Sequence, residues 1–60
     1  MNIDRIKVGT KLKNKHTDEI HSVEKIEIVR VSPSETTIVF TIQGFRSNQY
    51  YVNKNWEMIK

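Results

Sequence analysis

His16, Asp18, Glu19 and His21 form the one cluster in this chain with acid–base or metal-binding chemistry. A zinc site needs three or four ligands in defined geometry, and the run His-Thr-Asp-Glu-Ile-His matches no established ligand spacing. A solvated polar turn accounts for these four residues. A nucleophile–base–orienter set would have to join one of the histidines to scattered serines, and no local spacing supports one. Gly9 and Gly44 lie in no phosphate-binding loop. Cysteine is absent, which removes thiolate ligands, cysteine nucleophiles and disulfides, and fits a reducing cytoplasm. The sequence therefore reads as a non-enzyme with no catalytic residues, no metal and no cofactor.

Residues suited to recognition are easier to find. Phe45 and Arg46 fall at the expected tip of a hairpin, and Gln49 and Tyr51 follow on its returning arm. Tyr51 is out of phase with Tyr50 and Val52, which puts it on the outer face. An exposed aromatic beside an arginine suits a protein interface, where both residue types concentrate. It also suits stacking on bases with a paired phosphate. A third reading folds Phe45 back to cap an open barrel end. Lys11, Lys13 and Lys15 share one strand face, either as a charged edge that resists aggregation or, with Arg46, as a stripe along a phosphate backbone.

The elements that must position these residues are mostly strands. Residues 36–52, TTIVFTIQGFRSNQYYV, hold the densest β-branched run and four of the five aromatics. They read as a β-hairpin with Ile38, Phe40 and Ile42 on one arm. Tyr50 and Val52 answer from the other, and residues 44–48 form a projecting loop. Upstream, a strand starting at Thr10 carries Leu12 inward, and residues 16–19 make a turn in which Thr17 and Asp18 bond local amides. A second strand runs from Ile20 to about Val31, with a bulge expected between Ile28 and Val29, where the apolar phase flips. A helix over residues 17–27 competes for part of that stretch, but the β-branched density from Ile26 to Val31 opposes it. Pro33 between serines breaks the chain. Asn53 can cap a single helical turn over residues 54–56, with Trp56 in the core, before a last short strand at 57–60. Residues 1–8 form one helical turn or an irregular lead-in, and Gly9 with Thr10 makes the turn that follows.

Sixty residues make one domain, residues 1–60, and leave little room for a large pocket. Stability without disulfides must come from packing or from a partner subunit, so a homodimer is one expectation. The net charge of +3 is mildly basic, and seven acidic residues offset much of it. No apolar run approaches the ~20 residues that span a bilayer, and MNIDRIKVG lacks a signal-peptide core.

Five short strands and one helical turn assemble into an all-β domain: a small five-stranded antiparallel SH3-like barrel with one short 3₁₀ or helical turn before the last strand. A five-stranded OB-type barrel is the alternative. The run VGTKLKNKHTDEIHSVEKIEI, within residues 8–31, resembles small phage-encoded SH3-like barrel proteins, with their Val-Gly start, Lys-rich first strand and polar turn. Such proteins usually place a glycine in that turn, and this chain has none. The resemblance implies binding or modulation of a host protein in the host cytoplasm rather than a reaction. The expectation is a non-catalytic protein-interaction module contacting its partner through Phe45, Arg46, Gln49 and Tyr51. The alternative is a nucleic-acid-binding module using Lys11, Lys13, Lys15 and Arg46.

Overall fold

A computed structural model describes residues 3–59. After a 3₁₀ turn at Ile3–Arg5 come β1 (Lys11–Asn14), β2 (Ile20–Ser32), β3 (Glu35–Ile42), β4 (Phe45–Asn48), α1 (Gln49–Asn55) and β5 (Trp56–Met58). All strand pairs are antiparallel, in the order β4-β3-β2-β1-β5. The domain is a small five-stranded antiparallel sheet with one short helix. Met1 and Asn2 of the expected lead-in and Lys60 of the expected last strand lie outside the described residues.

The sheet is not closed into a barrel, because β4 and β5 end the strand order without pairing to each other. Helix α1 bridges that gap instead. Its seven residues rise about 10 Å, enough to carry the chain from the end of β4 to the start of β5. On the way it sets Val52 into the core. Ile6, Leu12, Val23, Phe40, Ile42, Val52 and Trp56 are buried together, with Ile3, Ile26, Ile38 and Met58 packed against them.

The helix corrects the expected returning arm. Tyr50, Tyr51 and Val52 lie in α1 rather than on a strand, and Tyr50 is 66% exposed rather than in the core. The expected cap at Asn53 is also displaced. Asn48 is the N-cap, with extended backbone, and its Oδ1 accepts from the Tyr51 N–H at 2.9 Å. At the other end Asn55 Nδ2 donates to the Tyr51 carbonyl at 3.0 Å, and the Trp56 N–H caps on the Val52 carbonyl. Aromatic and β-branched propensity at Tyr50, Tyr51 and Val52 is overridden by an amide side chain at each end. Asn48→Ala should cost about 1 kcal/mol, read as a lower urea midpoint at unchanged slope.

The hairpin loop is correspondingly shorter than expected. Strand β4 starts at Phe45, so the connection is the two residues Gln43 and Gly44, with φ of 55° and 78°. Two successive positive φ values match the twist of the flanking strands in a type I′ turn. This tip is tight and does not project.

In β2 the register shifts fall between Val23 and Lys25 and between Arg30 and Ser32, not between Ile28 and Val29. Ile28 and Val29 pair in unbroken register with Ile38 and Thr37. Both are apolar because the strand has two faces there, not because it crosses from one face to the other. The bulge at Glu24 has a local use: its Oε2 accepts from the Gly44 N–H at 2.8 Å, fastening the β3–β4 turn to β2.

The turn after β1 closes without glycine partly as expected: Thr17 Oγ1 accepts from the Glu19 N–H at 3.3 Å. Asn14, which was not expected to take part, supplies two further bonds. Its Oδ1 accepts from the His16 N–H at 2.8 Å and the Thr17 N–H at 3.2 Å. Asp18 takes the positive φ, 64°, that glycine would otherwise hold.

Candidate binding cleft

The hairpin tip, α1 and the ends of β1 and β5 converge at one end of the sheet and leave a cleft of about 140 Å³. Asn14, Ile42, Gln43, Phe45, Ser47, Tyr51 and Trp56 line it. Its aromatic groups come from three elements: Phe45 from β4, Tyr51 from α1 and Trp56 from β5. Asn14, Gln43 and Ser47 add side-chain amides and a hydroxyl. None of the lining residues is charged. Such a cleft can bury an apolar or planar group and hydrogen-bond an amide beside it.

Secondary structure fixes where each side chain goes. Phe45 pairs with Ile42, which is buried, so Phe45 lies on the core side of β4 yet remains 71% exposed at its end. It does not cap the core. Arg46 pairs with Thr41 and points to the opposite face. There its Nη2 lies 3.3 Å from Glu27 Oε2, and Lys25 Nζ reaches the other Glu27 oxygen at 3.9 Å. The aromatic and the arginine expected side by side are therefore on different faces of the sheet. Gln49 opens α1, half-buried and outside the cleft lining. Of the four expected contact residues, Phe45 and Tyr51 come together and the other two do not join them.

The wall behind the cleft is tied down. Asn55 Oδ1 pairs with His16 Nε2 at 2.8 Å, and the Asn55 carbonyl accepts from the Lys15 N–H at 2.8 Å. Both join the end of α1 to the β1–β2 turn. Trp56 is almost fully buried and meets His21 edge to face, with centroids 6.0 Å apart and planes at 77°. His21 Nε2 is enclosed and makes no hydrogen bond, and Glu19 Oε2 stays 3.7 Å away. The two histidines thus serve different contacts. Among the described residues no group of three His, Cys, Asp or Glu could hold a metal ion.

The expected basic stripe is broken up. Lys11 is exposed on β1, but Lys13 Nζ lies 3.6 Å from Asp18 Oδ1, and Lys13 also faces Glu57 across the β1–β5 pair. Lys15 lies beyond the end of β1, where its Nζ donates to the Asn53 carbonyl at 3.3 Å. The sequence reading missed Asn14, Gln43 and Ser47 at the cleft and placed Trp56 only in the core. Asn48 as a capping residue, with Val52 and Trp56 four apart, was the available signal for the helix that assembles this site.

No protein family, curated protein or solved structure matches this chain. Among the described residues no helix is long and apolar enough to cross a membrane.

Proposed function

We propose that this protein is a non-catalytic protein-interaction module that takes an uncharged, apolar or aromatic peptide segment between Phe45, Tyr51 and Trp56. The observation that carries this reading is the convergence of three aromatic residues from three elements on a cleft without a charged side chain. The exposed rings of Phe45 and Tyr51, held on a fixed scaffold beside the largely buried Trp56, offer contact area at little entropic cost. The strand order, with β5 beside β1 and a helical segment just before it, supports an SH3-like assignment. Inhibition or modulation of a host protein in the cytoplasm, as the phage-type resemblance implies, is a role of this kind. Nucleic acid is the less favoured ligand. Phosphate contact needs free cations beside the stacking surface, whereas Lys13 and Arg46 sit against carboxylates and Arg46 is on the far face.

The test is a pull-down with and without nuclease, repeated with Phe45→Ala/Tyr51→Ala. Both side chains are more than half exposed, so the double variant should stay folded, within about 1 kcal/mol of the parent. Nuclease-resistant capture of a protein, reduced about tenfold or more in the variant, is the expected result. Capture abolished by nuclease, or unchanged in the folded variant, would overturn the assignment.

A further inference from the structure

The two-residue turn at Gln43 and Gly44 sets the hydrogen-bond phase of the β3–β4 ladder. Ile42 and Phe45, which flank it, exchange both their backbone bonds. Phe40 and Ser47 repeat that arrangement, and Thr41 and Arg46 between them form a non-hydrogen-bonded pair. The Arg46 N–H and C=O therefore point away from β3, as does the Asn48 N–H. No strand lies on that side, because β4 ends the sheet order. Among the described residues, Arg46 bonds outside the ladder only through its guanidinium.

Free sheet edges are usually guarded by a lysine, a proline or a bulge. The β4 sequence, FRSN, has none of these, and its register with β3 is unbroken. Its arginine reaches inward across β3 to Glu27 on β2, at 3.3 Å, and leaves the edge uncovered. On the other face of β4, Phe45 and Ser47 border the uncharged cleft. The second free edge, β5, offers less, since the Trp56 N–H is already bonded to the Val52 carbonyl.

We propose that β4 accepts an extended, uncharged peptide as an added antiparallel strand, bonded to the Arg46 N–H and C=O, with two of its side chains over the cleft. This mode of binding rests on Phe45, Tyr51 and Trp56 being a peptide site, and it adds the backbone contacts to that site. An extended chain is the occupant whose donors and acceptors match a row of free strand groups. Paired residues share a face of a sheet, so the residue opposite Arg46 lies on the Glu27 side. Its two neighbours, beside Phe45 and Ser47, lie over the cleft. Apolar or aromatic side chains two apart fit that register, and adjacent ones do not, because one of them faces away. A charged side chain over the cleft would find no counter-charge there.

Titration of acetyl-Thr-Phe-Thr-Val-Thr-amide into the labelled full chain, followed by NMR, tests this. At saturation the Phe45, Tyr51 and Trp56 resonances should shift, and the Arg46 amide should exchange with solvent about tenfold more slowly. N-methylation of the central threonine of the peptide should weaken binding about tenfold or more. Arg46→Pro removes the outward N–H but no ladder bond, a change that edge strands tolerate, and should weaken binding by a similar factor. Arg46→Ala, which removes only the guanidinium, should stay within about twofold of the parent. Cleft shifts with equal affinity for the N-methylated peptide overturn strand addition while leaving the cleft as a peptide site. No shift at cleft or edge overturns both. An Arg46 amide already protected in the free protein, as when a second copy pairs along β4, overturns the proposal as well.

Discussion

Trp56→Ala is expected to abolish the cooperative thermal transition. The indole is 6% exposed and belongs at once to the core, to the edge contact with His21 and to the wall of the cleft. Truncating a buried tryptophan costs about 3–5 kcal/mol through lost burial and the cavity left behind. A 60-residue domain has only about 3–9 kcal/mol of total stability to lose. Trp56→Phe keeps a ring in the same space and should retain a cooperative melt at a lower midpoint. Circular dichroism on heating reads both variants. If Trp56→Ala melts within a few degrees of the parent, the packing of β5 against this core is wrong.

Val52→Asp should be nearly as damaging, whereas Tyr50→Asp should be almost silent. Val52 is fully buried, so an aspartate there would be an unpaired charge in an apolar core, a change of at least several kcal/mol. Tyr50 points into water from the first turn of α1, where surface substitutions stay within about 0.5 kcal/mol. The contrast is diagnostic because residues two apart share a face on a strand but not on a helix. Were residues 49–55 a returning strand, both aspartates would unfold the domain. Urea unfolding of the pair decides between the two arrangements.

The same segment marks the boundary of what could be read from the residues. The strand from Ile20, the break at Pro33 and the arm carrying Ile38, Phe40 and Ile42 all follow from alternation and turn chemistry, which act over a few neighbours. Beyond Gly44 the governing facts are less local. Gln43 at positive φ is an unusual first residue for a type I′ turn, so a longer loop was the natural reading. Tyr50, Tyr51 and Val52 favour a strand by type. What makes them helical is the cap at Asn48 and the need to bridge an open sheet. The cleft inherits that difficulty, because three of its seven lining residues, Phe45, Tyr51 and Trp56, depend on where the helix begins and ends. Arg46 was misplaced for a simpler reason: one residue along a strand changes the face.

Pairing of β1 with β5 brings Leu12 opposite Met58, nearly the full length of the chain away, whereas β2, β3 and β4 are joined by tight turns. Entropy of loop closure orders these events: neighbouring hairpins form from local encounters, and the terminal strands meet only once the intervening chain is compact. Asn14 and Trp56, both lining the cleft, are partners in that last pairing. The cleft therefore comes into existence only as folding completes, so any group that bound there would select fully folded molecules.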